Sequence, residues 1–154
     1  MAAAVAEAHR VLREGGLLLD IHPTDEPSWL EVWYAVVKEG GAATVNADNL
    51  DAMHRVPLGL LEHDPETRQD FTAATDVLAD AIDHGWDYAA TRTFEYRYFF
   101  DSLDELTDYF EDNHEHARAS DELLERALMV MQSAPTTPKI AIIQKTLVAA
   151  LRKT

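Results

Sequence analysis

The sequence contains no cysteine among its 154 residues. Disulfides, thiolate metal sites, iron–sulfur clusters and cysteine nucleophiles are therefore excluded. Basic residues are also scarce, because 13 Lys and Arg stand against 28 Asp and Glu, which gives a formal net charge of -15. A field of that sign repels phosphate backbones and anionic membrane surfaces. We therefore expect no nucleic-acid binding and no membrane binding.

Long hydrophobic runs are missing as well, since no apolar stretch reaches the roughly 18–20 residues of a membrane span. The Ala-rich stretch from Met1 to Ala8 lacks the basic start and apolar centre of a signal peptide. The composition, 47% hydrophobic and 27% charged, is typical of a soluble globular protein. We predict a single domain over residues 1–154, located in the cytoplasm.

The first 21 residues predict a helix followed by a strand. Strong helix formers occupy residues 2–14 with apolar residues at helical spacing, and Gly15-Gly16 supplies a left-handed residue to end the helix. The apolar run 17–21 then predicts a strand that is buried on both faces. This order is one helix-to-strand unit of an α/β sheet.

The rest of the chain alternates between strand and helix patterns. A β-hairpin is predicted from the alternation over 30–36, the turn residues Gly40-Gly41 and the run 42–45. Helices are predicted from Asp64-Pro65 to Gly85, from the Ser102–Glu105 capping box, and over 120–132; a final strand is predicted over 139–151.

An aromatic row marks the clearest strand. Its members lie two residues apart and share one face: Phe94, Tyr96, Tyr98 and Phe100. We expect them to pack under a helix, and the alternative is that they stack a nucleobase or line an apolar acceptor pocket.

The segment EAHRVLREGGLLLD, residues 7–20, resembles the class I S-adenosylmethionine-dependent methyltransferases. In that family an E-x-x-R-V-L-[KR]-P-G-G-x-L-L pattern leads into the fifth sheet strand, and here Glu14 replaces the proline. The resemblance implies an α/β fold: a partial Rossmann-like sheet with strands equivalent to five (17–21), six (88–100) and an antiparallel seven (139–151). An extra β-hairpin and flanking helices complete it.

The resemblance also points to a missing part. The family holds S-adenosylmethionine with a glycine-rich loop after its first strand, whereas this chain has 6 glycines and no G-x-G array. The implied function is a truncated methyltransferase-like protein, unable to bind cofactor or to catalyse alone. The alternative is a non-catalytic dimerising or protein-interaction module derived from a methyltransferase; a third explanation is that the chain is the tail of a longer gene product.

Candidate site residues lie where the first strand ends, because ligands of α/β sheets bind beyond the carboxyl ends of strands. We expect His22 to act as a general base, oriented by Asp20 or Asp25, so that His22 and Asp25 are the catalytic candidates. In the alternative, His22 only ends the strand and hydrogen-bonds nearby backbone. Substrate contacts are assigned to Asp20 and to Pro23, Thr24 and Trp29.

No metal site is predicted, because His114 and His116 are two residues apart and would point to different sides of a helix. The stretch 101–115 holds seven acids and no Lys or Arg, which favours a solvated face over a patch that docks a basic partner.

The partners expected are other protein chains. Strand 17–21 would lose its neighbour if the first half of the family's sheet were absent, and an uncharged apolar edge invites pairing. We therefore predict a homodimer, with a complementing N-terminal half of a methyltransferase as a further partner.

Overall fold

The computed structural model describes residues 1–36, 50, 53–112 and 117–154. Its α-helices are α1 (Ala2–Val11), α2 (Pro65–Ala81), α3 (Leu103–Asp112) and α4 (Asp121–Ser133), and a short 3-10 turn spans Ile82–His84. Its strands are β1 (Leu17–Pro23), β2 (Trp29–Ala35), β3 (Met53–Leu60), β4 (Glu62–His63), β5 (Trp86–Phe100), β6 (Ala117–Arg118) and β7 (Lys139–Lys153).

The fold is α/β, with an open antiparallel sheet and flanking helices. Five strands form the main sheet in the order β1-β7-β2-β3, and β5 also pairs with β7. The pairs β1–β7, β2–β7, β2–β3 and β4–β6 are antiparallel. The predicted α/β class is therefore confirmed. The sheet is antiparallel, whereas the sheet of a Rossmann fold is parallel, so the Rossmann-like arrangement is not confirmed.

The described residues divide into two compact units, and β5 and β7 pass through both. The first unit comprises 1–26, 65–96 and 144–154, and the second comprises 27–64 and 97–143. In the first, residues from α1, α2 and β7 form the core around the buried ring of Trp86. In the second, Leu30, Val32 and Ile140 of the sheet pack against Leu106 of α3 and Leu123 of α4.

The first helix ends before the glycines that were predicted to end it, because Leu12 at its C-cap is already extended. α1 spans Ala2–Val11, and Gly15 adopts the left-handed conformation with φ of +74°. The amide of Gly15 then donates to the carbonyl of Lys153, and the amide of Lys153 donates to Gly16. The glycine turn therefore follows the helix as a separate element and places β1 in register with β7.

The prediction that β1 is buried on both faces is wrong. Leu17, Leu19 and Ile21 are 55%, 62% and 59% exposed, whereas Leu18 packs into the core of the first unit. Successive side chains of a strand point to opposite faces, and in this unit α1 and α2 supply core residues only on the face of Leu18. Burial of the second face would have needed a layer that the described residues do not provide.

The predicted hairpin has a different second strand. β2 pairs with β3, which begins at Met53, and Gly40-Gly41 and 42–45 lie outside the described residues. Both faces of β2 are buried, including the side chains of Glu31 and Trp33. A register shift between Leu30 and Glu31 interrupts the β2–β3 ladder.

α3 begins at the predicted Ser102–Glu105 capping box, and α4 begins one residue after the predicted helix start at Ser120. The hydroxyl of Ser102 accepts from the amide of Glu105 at 3.2 Å, and Ser120 accepts from the amide of Leu123 at 3.3 Å. The prediction that the aromatic row packs under a helix is confirmed only in part. Tyr98 and Phe100 contact Tyr109 of α3, but Phe94 and Tyr96 belong to the first unit and are exposed.

Candidate functional site

His22 lies near the end of β1 and is buried in the first unit. Because residues two apart in a strand share a face, Asp20 and His22 point the same way. Nδ1 of His22 forms a short hydrogen bond with Oδ2 of Asp20, and Nε2 lies 3.2 Å from the hydroxyl of Thr75 on α2. The structure therefore connects the Asp20 carboxylate, the His22 imidazole and the Thr75 hydroxyl in one hydrogen-bonded series.

The two ends of this hydrogen-bonded series fix which ring nitrogen of a neutral His22 carries the proton. An ionised carboxylate can only accept, so Nδ1–H donates to Asp20 and Nε2 is left as the acceptor. The Thr75 hydroxyl can donate to Nε2, and it also lies 3.4 Å from the carbonyl of Phe71. A hydroxyl has one proton, so Nε2 is available to a substrate only when Thr75 turns to Phe71.

This hydrogen-bonded series of Asp20, His22 and Thr75 can act as an oriented base. Asp20 fills the orienting position that the sequence left open between Asp20 and Asp25. Asp20 holds the imidazole through Oδ2, and its contact with substrate stays a prediction. The contact with Thr75 was not predicted, because nothing in the sequence places α2 over β1.

The remaining candidates are more dispersed. Pro23 ends β1 half-buried, and the amide of Thr24 donates to the carbonyl of Lys145. Asp25 is exposed. Trp29 belongs to the second unit, where its Nε1 donates to Glu31 at 2.7 Å. Within the first unit the structure brings together Asp20 and His22, and the roles assigned to Asp25, Pro23, Thr24 and Trp29 stay predictions.

The glycines of the described residues do not fit S-adenosylmethionine. A glycine-rich loop holds a ligand through backbone N–H groups that are left open to it. Here the amides of Gly15 and Gly16 donate to the carbonyls of Lys153 and Arg13, and Gly85 lies against the ring of His9. These glycines serve turns and close packing instead.

A second polar cluster surrounds Glu31 in the second unit, and it was not predicted from the sequence. The Glu31 carboxylate accepts four N–H bonds. Trp29 Nε1 and Arg55 Nη2 donate to one oxygen at 2.7 and 3.0 Å, and Trp33 Nε1 and Arg55 Nε donate to the other at 2.6 and 2.8 Å. We call these four residues the Glu31 cluster.

Strand geometry and sheet register bring the side chains of the Glu31 cluster together. Trp29, Glu31 and Trp33 alternate along β2, which sets their side chains on one face, and Trp33 pairs with Arg55 of β3 in the sheet register. The guanidinium of Arg55 also lies over the Trp33 ring, 4.6 Å from its centre. The W-x-E-x-W spacing was a visible signal, but the arginine partner depended on a register that the sequence did not reveal.

The electrostatics of the cluster favour a charged Glu31. Burial acts to raise the pKa of the Glu31 carboxyl, but the hydrogen bonds from Arg55, Trp29 and Trp33 outweigh it and hold the pKa below its ordinary value. Four donors occupy both oxygens, so no acceptor position is left for a substrate. The cluster is therefore a structural tie between β2 and β3.

Other classes of site find no support in the part of the chain that is described. Those residues contain no group of three or more His, Asp or Glu side chains placed to hold a metal ion, and His114 and His116 lie outside them. None of the described helices is long and apolar enough to cross a membrane.

Comparison with protein-family models, with curated proteins and with solved structures gives no match. The resemblance to methyltransferases therefore rests on the residues quoted above.

Proposed function

We propose that this chain is the acceptor-side half of a class I methyltransferase-like protein, and that a complementing half covers its exposed sheet face. The observation that carries the proposal is the outer face of β1. Leu17, Leu19 and Ile21 are more than half exposed, and among the described residues β1 pairs only with β7. Three neighbouring large apolar side chains on one exposed strand favour an interaction surface.

The order of elements supports the same proposal. A helix, a Gly-Gly turn and β1 follow one another as in the family pattern, and β7 is antiparallel to β1, as the resemblance implies for a seventh strand. β5, the counterpart of the sixth strand, pairs with β7 as well. These three strands are where a Rossmann-like methyltransferase sheet would continue.

The complementing half would carry the glycine-rich loop, because the described glycines of this chain are engaged in turns and packing. This chain would contribute the Asp20–His22 pair. In methyl transfer the protein mainly aligns the acceptor with the methyl group. His22 would take the acceptor's proton at Nε2 once Thr75 has turned to Phe71.

The experiment is a titration of the purified chain with S-adenosylmethionine, and again with S-adenosylhomocysteine. We expect no heat and no thermal shift with the chain alone. Co-expression with the glycine-rich half of a class I methyltransferase should give a complex that binds the cofactor. The Leu19→Lys variant of this chain should lose that cofactor binding. Micromolar binding by the chain alone would refute the need for a complement. Failure of every complex to form would refute the half-enzyme proposal.

A second candidate function is a non-catalytic homodimer formed through the same face. It is favoured by the uncharged character of Leu17, Leu19 and Ile21 in a chain of net charge -15, because apolar contact is the attraction that such copies can offer one another. Light scattering at micromolar concentration tests it. A dimer that Leu19→Lys dissociates, and that the exposed control Ala79→Lys leaves intact, would support it, whereas a monodisperse monomer would exclude it.

A further inference from the structure

An apolar cavity opens in the first unit between α1 and the end of α2. It has a volume of about 450 Å³, and its apolar walls are formed by Val5 of α1, Val77 and Ala81 of α2, and Trp86 at the start of β5. Small-molecule pockets have volumes of about 300–1,000 Å³ and mostly apolar walls with few polar groups. The cavity is large enough for a bicyclic aromatic ring system.

The polar groups at the cavity are acceptors or can serve as acceptors. His84 Nδ1 donates to the carbonyl of Asp80 at 2.8 Å, which leaves Nε2 of the neutral ring as an acceptor. The side chain of Asp80, an exposed carboxylate, also lines the cavity, as does His9. Nε2 of His9 is buried and has no hydrogen-bond partner among the described residues.

No cation is found in the described lining of the cavity, which contains neither Lys nor Arg. Arg10 of α1 pairs with Glu7, and Lys153 donates to the backbone carbonyls of His9 and Leu12. An anionic ligand would find no Lys or Arg in that lining, whereas a protonated amine would find the Asp80 carboxylate and Nε2 of His84. Nε2 of His9 faces Gly85 and is too buried to reach the ligand.

From this charge pattern we infer that the cavity binds a small aromatic amine. The ring lies among Val5, Val77, Ala81 and the edge of Trp86, and the ammonium group points to Asp80 and His84. The net charge of -15 adds a general attraction for cations. This site is independent of the methyltransferase proposal, because it uses neither the Asp20–His22 pair nor the outer face of β1.

The probes are tryptamine and indole-3-acetate, which share a ring and differ in the sign of their charge. Isothermal titration should show tryptamine binding with one site per chain and indole-3-acetate binding at least about tenfold more weakly, which corresponds to about 1.4 kcal/mol. Equal affinity for the two probes, or no heat with tryptamine at millimolar concentration, would overturn the inference.

Two pairs of variants locate the site. Ala6→Phe should block tryptamine by filling the cavity from an exposed wall position, whereas Ala4→Phe, on the same helix but away from the cavity, should not. Asp80→Asn should weaken tryptamine about two- to fivefold, the range of an exposed ion pair, and the exposed control Asp83→Asn should leave it unchanged. If Ala4→Phe blocks as well as Ala6→Phe, the ligand binds elsewhere.

Discussion

Replacing Glu31 by Gln isolates the charge at the centre of the Glu31 cluster. The amide has nearly the shape of the carboxylate, so packing is preserved. It offers one oxygen where the carboxylate offered two, and its NH₂ group now faces N–H donors. Two of the four bonds from Trp29, Trp33 and Arg55 must be lost, whichever way the amide turns.

The cost of that loss follows from which donors are left behind. One indole N–H loses its acceptor, either that of half-buried Trp29 or that of buried Trp33, and the unpaired N–H costs about 1–3 kcal/mol. Arg55 is about one-third exposed, and water can satisfy part of its guanidinium. Breaking a buried ion pair from one side costs about 3–5 kcal/mol, and the partial access of Arg55 places Glu31→Gln near the lower end. We expect about 3 kcal/mol, a large share of the roughly 5–15 kcal/mol of a typical domain.

Urea unfolding at pH 7 measures the effect, followed by the fluorescence of the tryptophans. Glu125→Gln on α4 is the matched control, since it removes the same charge from an exposed position and should change stability by less than about 0.5 kcal/mol. If the two variants unfold at the same urea concentration, the reasoning about the buried carboxylate is refuted.

The difference in stability between the original protein and Glu31→Gln should also depend on pH, in a direction set by the pKa of Glu31. The pKa of Glu31 is lowered in the folded state, so its contribution to stability is present above the unfolded pKa and is lost as the pH falls through the folded pKa. The gap between the original protein and Glu31→Gln should therefore be full at pH 7 and should narrow as the solution is acidified below the ordinary range of a Glu carboxyl. A gap that widens on acidification would contradict the assigned direction.

Four further changes test the backbone and the core. Gly85→Ala combines a φ of +85° with a Cβ only 2.8 Å from the ring of His9, so it should cost about 2 kcal/mol, whereas Gly15→Ala, with open space around it, should cost about 1 kcal/mol. Ser120→Ala removes the cap of α4 and should cost about 1 kcal/mol by thermal unfolding. Leu78→Ala should cost about 2–5 kcal/mol, because the side chain is fully buried; a loss under about 1 kcal/mol would mean that the core is looser than described.

Local signals predicted local structure well. The turn at Gly15 and the capping box at Ser102 rest on contacts between residues a few positions apart, and the structure has both. The strand β3 was missed because Pro57 and Gly59 both argue against a strand. Pro57 is tolerated because it faces Glu31 where the β2–β3 register shifts and the ladder is already interrupted.

The candidate site shows the same division between local and distant contacts. Asp20 and His22 were found because they are neighbours along one strand. Thr75 was missed because it belongs to a distant helix, and Arg55 because its partner is set by strand register. The exposure of Leu19 could not be read from its apolar neighbours, since burial depends on what covers a sheet and not on the strand alone.

The long sequence separation between β1 and β7 has a consequence for synthesis. β1 pairs with the last residues of β7, so that Leu17 lies opposite Arg152, and β2 and β5 depend on the same strand. At about 5–20 residues per second, the ribosome needs on the order of ten seconds to go from β1 to β7. Throughout that interval the nascent chain holds apolar strands without their central partner. Folding of the first unit therefore has to wait until residues 144–154 have been synthesised.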